Sequence, residues 1–194
     1  IFDLLSSSER KNPLGAITAF RRAFEGSRAC HLVLKMSHAK ERPLEAAMIA
    51  QATAGLPVTI IDHTIDRDQV NSLIAASDCL ISLHRSEGFG LTIAEAMYLK
   101  KPVIATGYSG NIDFTRPDNS FLVEYDLTRV PRGCCPYDEG MVWAEPRLDD
   151  AVRQMRMVLS NPELRASRAN KASEHIRTQM APEVVGKLMR QRLE

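Results

Sequence analysis

Glu87 and Glu95 are two acids with a glycine-rich turn and the start of a helix between them, in the stretch Ser86-Glu87-Gly88-Phe89-Gly90-Leu91-Thr92-Ile93-Ala94-Glu95-Ala96-Met97. Glycines let a backbone approach a ligand closely. The free N–H groups of a first helical turn, and the helix dipole behind them, favour an anion, and a phosphate is the natural guest. Lys11 and Arg10, from a loop earlier in the chain, can supply compensating charge without a metal. Glu95 falls about one turn into the helix, where a carboxylate can accept two hydrogen bonds from a vicinal diol such as a ribose. Glu87 falls before the turn, where it can meet the hydroxyls or the reacting end of a sugar. The spacing lets two acids bracket a phosphorylated ligand with the helix N-terminus between them. The plainer alternative is that Glu87 caps the helix and Glu95 is a solvated helix residue. The whole string, rather than the glutamates alone, favours the ligand reading.

The elements that must position these residues follow from the pattern of apolar residues. Strand-like runs are expected over residues 1–5, 31–36, 57–61, 78–83, 102–105 and 121–123. Between them come helical patterns: Leu14, Ile17, Phe20 and Phe24 after Asn12-Pro13; an Ala-rich run at 43–53; Val70, Leu73 and Ile74 behind a capping Asp66; and residues 91–99. Continuous apolar strands alternating with amphipathic helices predict a doubly wound, Rossmann-like parallel sheet covered on both faces. Residues 1–194 read as one such domain, closed by helices from residue 147 onward. Residues 124–145 contain Pro131, Gly133, Pro136 and Gly140 and read as a long irregular loop, either functional or a surface insertion.

In an open parallel sheet, ligands bind beyond the carboxyl ends of the strands. The unusual polar clusters of this sequence fall there: residues 6–12, Lys35-Met36-Ser37, Asp62-His63-Thr64, residues 84–90, and residues 106–111. Together they predict a cleft, with Glu87 and His84 near a solvent-open rim. The turn is not a GxGxxG fingerprint, so a nicotinamide dehydrogenase is not supported.

Composition narrows the partners. A net charge of +1 argues against a nucleic-acid ligand, which usually demands a basic excess. No apolar stretch approaches the ~18 residues needed to span a bilayer, and there is no signal-peptide pattern. Cys30 and Cys79 sit in or beside apolar runs and read as reduced core residues; Cys134-Cys135 has no metal-ligand spacing. A reduced, cytoplasmic setting is expected. The basic excess in residues 150–194 suits peripheral contact with an anionic membrane, such as the inner membrane, or a solvated helix face. The first residues look like the tail of a strand already under way, and there is no initiator Met, as in a trimmed chain.

The segment from His84 to Phe114, HRSEGFGLTIAEAMYLKKPVIATGYSGNIDF, resembles the paired-glutamate motif of retaining glycosyltransferases of the GT-B fold, in particular the bacterial family 4 "glycosyl transferases group 1". The likeness runs from about Phe2 through Leu127 and into the helices after Trp143. It matches the C-terminal, donor-binding domain, with the N-terminal acceptor domain absent. The resemblance implies catalytic roles for Glu87, at the donor sugar, and for Lys11, the phosphate-binding lysine. It implies that Glu95 holds the ribose and that backbone N–H groups of Phe89, Gly90, Leu91 and Thr92 receive sugar hydroxyls and diphosphate. Gly88, Arg10, Lys35 and His63 complete the expected donor-binding set, with the 62–65 loop against the nucleobase. Where the family places an arginine five residues before the lysine, this chain has Ser6, and Arg10 is the substitute at hand. The Gly-Gly-x-x-Glu turn of the family is replaced by Gly107-Tyr108-Ser109-Gly110-Asn111.

The implied activity is transfer of a sugar, with retention, from a nucleotide-diphosphate donor to a glycan or lipid-linked acceptor in polysaccharide biosynthesis. No metal or other cofactor is expected. A non-catalytic nucleotide or nucleotide-sugar binding module is the alternative. Two-carboxylate hydrolysis would leave the phosphate site unexplained, and a receiver domain would need more acids after the first strand than Asp3.

Overall fold

The computed structural model describes residues 1–27, 29–134 and 137–193. Its elements are β1 (Phe2–Asp3), α1 (Ser8–Lys11), α2 (Pro13–Phe24), β2 (Leu32–Ser37), α3 (Pro43–Thr53), β3 (Val58–Ile61), α4 (Arg67–Ala76), β4 (Leu80–Ser82), α5 (Leu91–Tyr98), β5 (Val103–Thr106), β6 (Phe121–Val123), β7 (Tyr125–Arg129), β8 (Val142–Pro146), α6 (Leu148–Ser160), α7 (Pro162–Gln179) and α8 (Pro182–Leu193), with a 3₁₀ turn at Gly110–Asp113. Strands β1, β2 and β3 form one parallel sheet in that order, and β4, β5 and β6 a second. Register is regular: Leu34 faces Ile60 between β2 and β3, and Ile81 faces Ile104 between β4 and β5. One apolar core joins both sheets, packing Phe2, Leu34 and Met36 with Leu83, Ile104 and Phe121 and with Ile17 and Phe20 of α2. The expected doubly wound α/β fold with C-terminal helices is present.

Local chemistry places the helix ends. Asp66 forms a capping box with Gln69 at the start of α4. Asn12 adopts a left-handed φ of 53°, ending α1 and capping α2 through Gly15 N–H. Its amide also donates to the Leu83 carbonyl at 2.9 Å, so the turn after β1 is tied to the end of β4. Helix α6 buries Ala151, Val152, Met155 and Val158 against α2 and the sheet, each larger side chain contributing about 1.5–3 kcal/mol. Helix α7 lies across α5, where Ser173 Oγ donates to the Tyr98 carbonyl.

The reading of residues 124–145 as an irregular loop is corrected. They form an antiparallel ribbon, β7 on β8, with Tyr125 opposite Pro146 and Arg129 opposite Val142. The connection folds back on itself around Val130, Cys134, Tyr137 and Trp143. Asp150 of α6 anchors the ribbon by accepting from the Glu124 N–H at 2.7 Å. Cys30, Cys79 and Cys134 are free thiols, the first two only half-buried; Cys135 lies outside the described residues. No described helix is long and apolar enough to cross a membrane.

Candidate functional site

The site is built where α1, the short helix after β1 that carries Arg10 and Lys11 where a loop was expected, meets the loop after β4. Arg85 N–H donates to the Arg10 carbonyl at 2.8 Å, and Arg10 Nη1 donates to the Ser86 carbonyl at 2.9 Å. These bonds bring the side chains of Arg10 and Lys11 onto Glu87. Arg10 Nη1 lies 3.1 Å from Glu87 Oε2, and Lys11 Nζ donates to Oε1. The Glu87 side chain is only 11% exposed, so these charges interact in a partly dry setting. Burial alone pushes its carboxyl up. The Lys11 hydrogen bond and charge, with the charge of Arg10, outweigh that and hold it below the ordinary carboxylate range.

Arg10 also reaches back to Ser6. Its Nη2 donates to Ser6 Oγ at 2.9 Å, so a guanidinium reaches the Ser6 position from four residues further on.

The Glu87-Gly88 turn rests on the loop after β5. Ser109 Oγ accepts from the Glu87 N–H at 2.7 Å, and Gly110 N–H donates to the Glu87 carbonyl at 3.0 Å. A Cβ on Gly110 would sit 1.9 Å from the Gly88 carbonyl oxygen, so only glycine permits this approach. The Gly107-Tyr108-Ser109-Gly110-Asn111 segment thus buttresses the turn.

Gly90 ends the turn with a φ of 89° and starts α5 with no side chain capping it, leaving N–H groups of the first helical turn for an anion. Leu91 and Phe89 are exposed, the latter stacked on Phe114 with ring centroids 5.0 Å apart. Gly88 is exposed and Thr92 half-buried.

Glu95 lies further along α5, half-buried, and forms an ion pair with Arg67 at the start of α4. Burial pushes its carboxyl up, against the opposing charge and hydrogen bond of Arg67. Arg67 was not among the residues expected here. Asp66, capping α4, was the only signal that a helix starts beside it; nothing local pointed Arg67 at α5.

Two expected residues sit elsewhere. His84 is not at a solvent-open rim; it is fully buried. Its Nε2 faces two carbonyl-type oxygens, Asn111 Oδ1 at 2.9 Å and Tyr108 O at 3.2 Å, and so carries the proton. Its Nδ1, 3.0 Å from Ser82 Oγ, accepts. Burial lowers its proton affinity, and it is a neutral strut behind Glu87. Lys35 is 3% exposed, and its Nζ donates to the Met36 carbonyl and Ser37 Oγ. Burial lowers its pKa, opposed by the carboxylates of Asp3 and Asp62. It supports the ends of the strands rather than joining the Glu87 cluster. His63 is exposed in the loop after β3.

Three of the five described non-glycine residues with positive φ lie at the cluster: Ser7 at 60°, Asn12 at 53° and Ser109 at 70°. Each costs of order 1–3 kcal/mol and persists only where neighbouring bonds over-determine the backbone.

The sequence and the fold match known proteins. Residues 7–175 match the family model for glycosyl transferases group 1. The chain is 28% identical over 109 residues, 56% of its length, to trehalose synthase from Pyrococcus horikoshii, of which this covers 21%. Among solved structures it superposes on Anabaena HepE in complex with UDP at a TM-score of 0.72 and 18% identity, covering 96% of this chain and 46% of that one. It superposes on the C-terminal domain of the group 1 family protein LpcC from Francisella tularensis at a TM-score of 0.64 and 18% identity, covering 93% and 83%. The fold is that of a GT-B glycosyltransferase domain. The chain spans less than half the length of HepE and about a fifth of trehalose synthase. With most of its length inside the family model, from the Arg10–Lys11 loop through the paired acids, this chain belongs to the glycosyl transferases group 1.

Proposed function

We propose that the chain is the donor-binding lobe of a retaining glycosyltransferase, taking its sugar from a nucleotide-diphosphate donor. The observation that carries this reading is the convergence of Arg10 and Lys11 on Glu87 at the uncapped N-terminus of α5. A diphosphate laid there meets two cations and a row of backbone N–H groups. On this reading Glu95, further along α5, takes the two ribose hydroxyls, and the 62–65 loop, exposed at residues 62–64, borders the nucleobase. HepE has been solved with UDP and with UDP-glucose, which supports a nucleoside diphosphate as the probe of first choice.

In transfer, charge builds on the departing diphosphate. Lys11, Arg10 and the α5 N-terminus are fixed in advance against that charge, which is where such groups are most effective. Glu87 pairs with both cations and faces the sugar. The acceptor, a glycan or lipid-linked sugar, comes from a second lobe that closes over this face and excludes water.

The test is titration calorimetry of UDP, GDP and ADP, with their nucleosides, against this chain and its Lys11→Ala variant. One diphosphate binds, and Lys11→Ala weakens it far more than the matching nucleoside. Equal loss for both would place Lys11 in packing rather than at the phosphates. No binding by any diphosphate would sink the donor-site reading.

A further inference from the structure

Arg85 stands directly before Ser86 and Glu87, and the donor-site reading gives it no work. Its side chain nevertheless joins three segments. Nε and Nη2 grip Glu145 of β8 at 2.6 and 3.0 Å. Nη1 donates to the Glu9 carbonyl. The guanidinium lies 5.4 Å from the centre of the Trp143 ring. Its backbone does the same: the N–H donates to the Arg10 carbonyl, and the carbonyl accepts from Ala144 N–H at 3.0 Å. So the carbonyls of Glu9 and Arg10, which lie on either side of the Arg10 Cα and directly before Lys11, are both held by Arg85.

The ribbon that supplies Glu145 is a built support. Trp143 is 3% exposed and packs with Val130, Cys134 and Tyr137, and Asp150 fixes the ribbon's other end. The Arg85 side chain is 20% exposed. A fork-shaped guanidinium on a carboxylate gives both energy and direction, which a lysine ammonium cannot reproduce.

We propose that Arg85, oriented by Glu145 of the β7–β8 ribbon, is a positioning residue for the diphosphate site. It fixes how far Arg10 and Lys11 stand from the N-terminus of α5, and so how well the chain distinguishes a diphosphate from a monophosphate. The proposal rests on the donor-site reading above. It also gives the 124–146 ribbon a role at the site, although none of its residues needs to touch the donor nucleotide.

A tie that merely holds the ribbon down predicts a lower melting temperature and nothing else. The discriminating quantity is the ratio of diphosphate to monophosphate affinity. It is measured by calorimetry with the best binder among UDP, GDP and ADP and its own monophosphate, on this chain and on the Arg85→Lys and Glu145→Gln variants. Both variants lower that ratio by about tenfold, the size of one misplaced charge-assisted hydrogen bond, and leave monophosphate affinity nearly unchanged. Glu145→Asp, which keeps the carboxylate, restores part of the ratio. The Glu145 side chain is 43% exposed, so its variants keep the fold and decide the matter where Arg85→Lys does not fold. An unchanged ratio in Glu145→Gln, whatever its melting temperature, overturns the proposal. A parent chain that binds no diphosphate overturns the donor-site reading itself and the proposal with it.

Discussion

Glu87 is shared by two cations, and this makes its substitution informative. Through these pairs it neutralises charge that Arg10 and Lys11 would otherwise offer a phosphate. Glu87→Gln should therefore bind a nucleoside diphosphate more tightly, by up to about tenfold or ~1.4 kcal/mol. It should also melt at a lower temperature, because two cations lose their partner in a half-dry setting. Calorimetry and a melting curve on the same sample check both; weaker diphosphate binding would mean that Glu87 orders the cations more than it masks them. Glu95 behaves differently. On the proposed donor-site reading, a ribose bound at Glu95 competes with Arg67, exchanging an ion pair with an exposed guanidinium for two hydrogen bonds. Glu95→Gln should weaken nucleotide binding by about 1–3 kcal/mol with little change in stability. Unchanged affinity would leave Glu95 as no more than Arg67's counter-ion.

At the scale of elements, the turn before α5 depends on a loop from the far side of β5. Gly110 is the contact point, its backbone against Gly88 with no room for a methyl group. Gly110→Ala should cost about 1–3 kcal/mol, the usual size of an overpacked contact. It should also impair diphosphate binding, because Ser109 and Gly110 hold Glu87 by its own backbone. Denaturant unfolding gives the first quantity and titration the second. Full stability in the variant would show that the two loops can part without consequence. Gly15 is a second tight contact: a Cβ there would come within 2.5 Å of the Asn12 side chain, which caps α2 and is tied to the Leu83 carbonyl.

For the whole molecule, the buried titratable groups predict how stability responds to acid. His84 binds its proton less readily in the fold than its ordinary 6.5, through burial. Its contribution is complete above that value and is lost as pH falls from about 6.5 toward the folded pKa. His175 is shifted the same way, by burial and by Arg116. Glu87, net lowered, adds a second loss below its ordinary 4.5. Glu95, raised by burial, works in the opposite sense: its contribution is complete below 4.5 and is lost as pH rises through its folded pKa. The melting temperature should fall as pH is lowered from about 6.5, and His84→Asn should flatten part of that slope, leaving the share of His175. A variant with a lower melting temperature but the parent's slope would show that His84 does not titrate across this window.

Much of this molecule is decided within short stretches of chain. Asn12-Pro13, the Asp66–Gln69 box and the Gly90 turn mark where helices begin because caps act over three or four residues. Apolar runs such as Leu32 to Met36 and Val103 to Ala105 mark buried parallel strands for the same local reason. The paired acids, and the uncapped helix start between them, are therefore legible in the string from Ser86 to Met97 taken as a whole. The ribbon at 125–146 could not: its connecting loop is far longer than a tight hairpin turn, and its Pro and Gly residues masked the pairing. Tertiary structure alone decided that Lys11 meets Glu87 across 76 residues and Arg85 meets Glu145 across 60. It alone buried His84 and put Arg67 on Glu95. Such contacts depend on how separate elements stack, and no periodicity in a single segment encodes a partner that the chain reaches only after folding.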